Sequence, residues 1–304
     1  MEKEISGIAT SHDGAKLSYV YYPGPKENPL LLLSNGVVCI ETYWVYLIKH
    51  FRGRYPIVTW DYRGHGKSPV PEDLESVSVE NHARDAAAVM DTIGFDKCVH
   101  MGFSMGVQVA FEFYRWFPQR TEGIVAICGP YGHPYNVFLK SEVLTRGLIG
   151  LLDLGLKLEK VVTPVLRVAM KSPLAFPTAK LVQVDWRVKK EDMQSYFDHL
   201  AQVDLSLAIH ALKKMNEHTA EDVLPTVKVP TLIIAGEKDT WTPLHHQKKM
   251  HELVPNSELT VIPFGTHATP IENPQAVNYR IEIFLRDHFR YNGCPPKKLC
   301  ENME

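Results

Sequence analysis

Along the first third of the chain, unbroken apolar runs alternate with stretches in which apolar residues recur every three or four positions. Residues 30–34 and 56–61 are continuous runs of the kind that strands buried on both faces require. Between them, Trp44, Leu47, Ile48 and Phe51 fall on one face of a helix predicted over 42–51. Ala86, Val89, Met90 and Ile93 mark a second helix over 79–93. A strand over 97–102, a helix over 105–116 and a strand over 123–128 continue the rhythm. At the start, residues 5–10 and 16–22 flank Asp13-Gly14, a hairpin signal that predicts an antiparallel pair. Strands alternating with helices imply an α/β fold, a mostly parallel β-sheet flanked by helices.

The alternation stops after Gly129-Pro130. Residues 131–204 read as helices only, punctuated by Pro164, Pro173 and Pro177. Strands return at 230–236 and 258–262, each followed by a helix, over 243–253 and 274–289. The expected organisation is a core domain from 1–130 and 205–290, a helical cap or lid over 131–204, and a polar tail over 291–304. No repeat or low-complexity segment interrupts it.

Composition changes this picture little. The chain has 304 residues, 45% hydrophobic and 22% charged, with a formal net charge of −2. That is ordinary for a soluble globular protein, and nothing in it favours nucleic acid as a partner. The N-terminus lacks an apolar run of secretory type, and the most apolar stretch, 147–158, is interrupted by Asp153 and Lys157. A cytoplasmic setting is expected. Cys39, Cys98, Cys128, Cys294 and Cys300 show no metal-ligand spacing. Cys98 and Cys128 fall in expected core strands, and Cys294 and Cys300 are expected as free thiols in the tail. No metal or organic cofactor is expected.

The chemistry gathers around Gly102-Phe103-Ser104-Met105-Gly106, which lies between an expected strand and an expected helix. A tight strand-to-helix turn of this kind, a nucleophile elbow, lifts the serine hydroxyl above the sheet at a helix N-terminus. Serine is a poor nucleophile without a base, so partners must follow in the order Ser, acid, His. Asp239 lies just beyond the strand at 230–236, and His267 just beyond the last strand. Loops at the carboxyl ends of parallel strands meet in one crevice. Ser104 is therefore the expected nucleophile, His267 its general base and Asp239 the acid that orients the imidazole. His100 reads as a buried core imidazole. His245 and His246 open a surface helix, and His65 sits near the crevice without the chain position of His267.

With these motifs in place, the chain resembles the cap-bearing α/β-hydrolase superfamily over nearly its whole length. The resemblance implies an oxyanion hole made by the backbone N–H groups of Val37 and Met105. The family's usual His-Gly before that hole reads Asn35-Gly36 here. It also covers Asp61-Tyr62-Arg63-Gly64-His65-Gly66-Lys67-Ser68, where Asp61 and Arg63 are expected to fix loop geometry. Epoxide hydrolases and haloalkane dehalogenases share the architecture but place Asp at the elbow, which Ser104 argues against. Asn35, Phe103, Tyr131, His133 and Trp241, with Trp44, are expected around the substrate pocket from their places beside the loops.

The implied activity is hydrolysis of a carboxylic ester of a relatively apolar small molecule or lipid through an acyl-enzyme. Two alternatives use the same three residues: a lactonase of the enol-lactone type, suggested by Ser34-Asn35 and the RGHG-x-S-P segment, and a carbon–carbon bond hydrolase. A ligand receptor on the same fold, with slow turnover, is a third. The expected partner is a small ester or lactone. The Leu, Val and Ile of residues 137–170, interleaved with Lys140, Arg146, Lys157, Lys160 and Arg167, leave peripheral membrane contact through the cap as a further reading.

Overall fold

The computed structural model describes residues 3–182, 185 and 187–289. Cys294, Cys300 and the tail over 291–304 lie outside the described residues.

Eight strands form one sheet: β1 (Ile5–Thr10), β2 (Lys16–Tyr22), β3 (Leu30–Ser34), β4 (Ile57–Trp60), β5 (Cys98–Phe103), β6 (Thr121–Ile127), β7 (Thr231–Gly236) and β8 (Ser257–Ile262). Their order is β1-β2-β4-β3-β5-β6-β7-β8. The hairpin β1–β2 is antiparallel and meets β4 antiparallel, and every other pairing is parallel. β3, β4, β5 and β7 are buried along their whole length, which is why their sequences carry no alternation.

Helices α1 (Val45–Phe51), α2 (Val79–Ile93) and α3 (Met105–Trp116) follow β3, β4 and β5. α2 starts where Ser78 Oγ accepts the Asn81 N–H and ends on Gly94, whose φ of 76° gives the left-handed stop. The start of the first expected helix, Glu41–Trp44, is a 3₁₀ turn, so only the portion from Val45 is α-helical. α1, α11 (Thr269–Glu272) and α12 (Pro274–His288) cover one face of the sheet with a core built on Leu31, Leu33, Met101, Ile234 and Phe284. α2 and α3 cover the opposite face through Val58, Ala86, Met90, Val109 and Phe113.

Between β6 and β7 the chain forms α4 (Pro134–Leu139), α5 (Glu142–Lys157), α6 (Glu159–Lys171), α7 (Ala175–Val182), α8 (Lys190–Leu200) and α9 (Leu205–Glu217). α10 (Leu244–Leu253) then returns the chain from β7 to β8. α8 packs on the turn at Glu41–Trp44, where Thr42 and Ser195 share a 3.0 Å hydrogen bond, and Tyr46 donates to Asp192 at 2.8 Å. The six helices thus lie over the carboxyl edge of the sheet.

The loop after β4 is held by charge. Arg63, almost fully buried, donates to Asp85 of α2 at 2.8 and 2.6 Å and to Asp13 of the hairpin turn at 2.5 and 3.1 Å. Burial alone would raise the Asp85 carboxyl, but the Arg63 hydrogen bonds and the neighbouring His82 hold it below the ordinary carboxylate value. Gly66, at φ 53°, has no room for a side chain, because a Cβ would stand 2.4 Å from the Asp61 carboxyl that accepts the Lys67 N–H.

Candidate active site

Ser104 occupies the turn between β5 and α3 with φ 54° and ψ −122°, a conformation that non-glycine residues rarely hold. Close backbone packing enforces it. A Cβ on Gly102 would sit 2.2 Å from the Gly106 carbonyl oxygen, and one on Gly106 would sit 2.1 Å from the Ser34 carbonyl oxygen. The Ser104 N–H donates to the Ile127 carbonyl at 3.1 Å, which fastens the turn to the end of β6. The two elbow glycines therefore let β5, α3 and the β3 loop meet at one point.

The loops after β7 and β8 are laced together. Glu237 donates its N–H to the Ile262 carbonyl at 3.1 Å and Lys238 to Gly265 at 2.7 Å, and the Phe264 N–H donates to the Glu237 carboxylate at 2.9 Å. This lacing sets Asp239 beside His267. Asp239 Oδ2 lies 3.0 Å from His267 Nδ1, and His267 Nε2 lies 3.1 Å from Ser104 Oγ. The remaining capacity of the carboxylate is filled by the N–H groups of Trp241 and Thr242, both at 2.9 Å, and the Thr242 hydroxyl at 2.6 Å.

Burial pushes the Asp239 carboxyl up, but the charge and hydrogen bond of His267 and the two bonds from Thr242 outweigh it and hold the group below the ordinary carboxylate value. An ionised carboxylate only accepts, so the proton shared with it resides on His267 Nδ1. Nε2 is then an acceptor facing the serine hydroxyl. The arrangement can draw a proton from Ser104 and stabilise the resulting imidazolium.

The β3 loop lies directly against the serine. A Cβ on Gly36 would come 3.2 Å from the Ser104 Cβ. Val37 lines the cavity above Ser104, and Met105 opens α3 immediately after it. Among the described residues neither backbone N–H has an acceptor. A cavity of about 770 Å³ rises from Ser104 and His267, walled by Phe103, Trp241, Tyr43 and Tyr196 and roofed by residues of α5, α6, α8 and α9. Its lining is almost wholly aliphatic and aromatic. Phe103 stacks on Tyr43 with ring centroids 4.2 Å apart, and Trp241 stacks on Phe138 of α4 at 5.2 Å.

Four residues expected around the pocket stand elsewhere. Asn35 is buried behind the loop, with Nδ2 donating to the Trp60 carbonyl at 3.0 Å. Trp44 packs into the core beneath the cavity, so its neighbour Tyr43 forms the wall instead. Tyr131 turns to the far face, where it stacks on His246 at 4.1 Å. His133 is exposed and bonds the Asn216 carbonyl through Nδ1 at 2.8 Å. Adjacency to a loop does not fix the direction in which a side chain leaves it. His65, His100 and His246 are packed into the fold. Burial holds His100 and His65 down to about 3 and His246 to about 4, so each stays neutral in its packed site.

Glu272 is a site residue that sequence reasoning missed. Its carboxylate accepts the Thr266 N–H at 2.8 Å and the Thr266 hydroxyl, immediately before His267, and also the Asp185 N–H at 2.8 Å. A lone acidic residue in a Pro-bounded turn carries no sequence signal of that role.

Comparison with known proteins agrees with this architecture. The Hydrolase_4 family model, described as serine aminopeptidase S33, matches residues 47–274. Epoxide hydrolase 3 of Xenopus tropicalis is 26% identical over 290 residues, covering 93% of this chain and 78% of that protein. A thermophilic esterase from Thermogutta terrifontis superposes with a TM-score of 0.71 at 20% identity, over 95% of this chain and all of the other. The enol-lactonase from Burkholderia xenovorans superposes with a TM-score of 0.70 at 17% identity, over 92% and 99%. At those identities the two structures share the fold alone with this chain. Among the described residues no helix is long and apolar enough to cross a membrane. The family model spans more than half of the sequence, and the chain belongs to the Hydrolase_4 family of α/β-hydrolase enzymes.

Proposed function

We propose that this enzyme hydrolyses carboxylic esters of an apolar small molecule or lipid through an acyl-enzyme on Ser104. The observation that carries this reading is the Ser104–His267–Asp239 relay, at 3.1 and 3.0 Å, on the floor of an apolar cavity. Ser104 Oγ attacks the ester carbonyl while His267 Nε2 takes its proton. The developing oxyanion faces the N–H groups of Val37 and Met105, and one such donor is typically worth about 3 kcal/mol in the transition state. His267 then protonates the departing alcohol, and the same base activates the water that releases the acid. Residues 131–204 act as the cap that, together with α9, shapes the cavity, over a core formed by 1–130 and 205–290. We place the enzyme in the cytoplasm, where Cys39, Cys98 and Cys128, all buried and unpaired, remain thiols.

The serine at the elbow separates this chemistry from epoxide opening, despite the likeness to epoxide hydrolase 3. Lactone hydrolysis is the second reading, favoured by the Ser34-Asn35 and RGHG-x-S-P segments. A fluorophosphonate probe tests the shared chemistry: it should label the wild type and leave Ser104→Ala unlabelled. Undiminished labelling of Ser104→Ala overturns the assignment. A panel of esters and lactones of graded chain length, followed to multiple turnovers, then separates esterase from lactonase and enzyme from receptor.

A further inference from the structure

Helices α5 and α6 present a broad apolar surface to solvent. On α6, Val161, Val165 and Val168 are 65%, 62% and 72% exposed, and their spacing places them in one stripe. On α5, Val143, Leu144, Leu151 and Leu154, continued by Leu158 just past its end, form a second exposed stripe. Such a patch is unusual for a surface that meets only water. Leu151, Leu154, Leu158 and Leu166 are at once exposed and part of the cavity lining, so the patch runs without a break into the cavity above Ser104.

The charge around this surface is opposite in sign to the rest of the chain. Residues 134–182 carry seven Lys or Arg against three Asp or Glu, within a chain of net charge −2. Lys140, Lys157, Lys160 and Lys171 have no carboxylate partner among the described residues. On α6, Lys160, Arg167 and Lys171 form a stripe that borders the valine stripe. Arg167, Val168, Lys171 and Ser172 also line a shallow depression at the end of that helix.

We propose that this face docks on an anionic phospholipid bilayer and draws apolar substrate from the lipid into the cavity. The valine and leucine stripes enter the acyl boundary while the flanking lysines snorkel to the headgroups. No described helix can span a bilayer, so the contact is peripheral. Substrate transfer rests on the reading of Ser104 as an ester-cleaving nucleophile, whereas docking does not depend on it.

The test is sedimentation of the full chain with vesicles of phosphatidylcholine alone or mixed with phosphatidylglycerol. The wild type should pellet with the mixed vesicles and be released by high salt. Val161→Glu/Val165→Glu/Val168→Glu and Lys157→Glu/Lys160→Glu/Lys171→Glu should each bind more than about tenfold more weakly. Both variants should keep the wild-type rate on a short water-soluble ester, which shows that they fold and that a loss of binding is separate from the chemistry of Ser104. Wild-type protein that stays in the supernatant with mixed vesicles overturns the proposal. So does a concentration-dependent dimer, broken by the valine variant, in a protein that ignores vesicles, because the face would then belong to a second copy.

Discussion

The Glu272 carboxylate accepts the backbone N–H of Asp185 at 2.8 Å, joining the helical insertion to the turn that carries His267. The same group receives the N–H and hydroxyl of Thr266, and Arg187 adds bonds to Asn273 Oδ1 at 2.8 Å and the Phe264 carbonyl at 3.0 Å. The loop that aims the imidazole is thus anchored to the insertion from both sides. Glu272 does not line the cavity, so it acts on the reaction only through the position of His267.

Glu272→Ala should therefore lower kcat with little change in KM on a soluble ester. A base displaced by about 1 Å can lose on the order of 100-fold in rate. The donors left unpaired should destabilise the fold by about 1–3 kcal/mol. Glu272→Gln, which keeps one acceptor oxygen, should recover part of both losses. Steady-state kinetics beside thermal melts decide the matter: an unchanged kcat in Glu272→Ala would remove Glu272 from the positioning of His267.

The pH dependence expected of Asp239 follows from its depressed carboxyl. A carboxyl depressed in the folded state stabilises that state above its unfolded value of about 3.9, and the contribution fades as pH falls through the lower folded value. Across the range where enzymes are assayed the acid therefore keeps its charge. An acid limb in kcat/KM lying above about pH 3.9 would therefore not report Asp239, and loss of the Asp239 charge above that pH would contradict its depressed carboxyl. Asp239→Asn should lower turnover by about 10⁴-fold, as in the Ser-His-Asp template, while leaving fluorophosphonate accessibility to Ser104 unblocked.

Backbone strain at Ser104 gives a prediction about stability. At φ 54° and ψ −122° a side chain is strained by about 1–3 kcal/mol, and only glycine escapes it. Glycine also loses about 0.5–1 kcal/mol more through its freer unfolded chain. Relief should exceed that loss, so Ser104→Gly should melt above Ser104→Ala, with both inactive. Equal melting temperatures would limit the strain to about the 0.5–1 kcal/mol that glycine loses, below the range expected for this conformation.

What the sequence made legible follows from how local each signal is. The runs at Leu30–Ser34 and Thr231–Gly236, the Asp13-Gly14 turn and the elbow glycines are written within a few residues, and each stands where its pattern places it. Ser104, Asp239 and His267 come together because chain order and strand ends converge on one edge. Side-chain direction is a different matter. Tyr43 and Trp44 are neighbours in one 3₁₀ turn, yet one faces the cavity and the other the core. Tyr131 leaves the end of β6 toward α10, and Asn35 turns to the Trp60 carbonyl. Tyr196 and Glu272 enter through tertiary packing alone, which no local pattern encodes.

Gly155 offers a test of the cavity as the acyl site. It lies in α5 on the cavity wall, and a Cβ placed there would meet only Ile209 Cδ1, at 3.4 Å. A larger side chain can therefore be accepted, with its length directed into the space above Ser104. Glycine inside a helix is about 0.8–1 kcal/mol less favourable than a good helix former, so Gly155→Leu should raise the melting temperature. Filling the cavity should also remove room for the far end of a long chain, where each buried CH₂ is worth about 0.8 kcal/mol. The variant should keep the wild-type kcat/KM on short acyl esters and lose activity steeply beyond a shorter limiting chain length. A stabilised variant with an unchanged chain-length profile would place the acyl group outside this cavity, and the substrate reading would have to move to another surface.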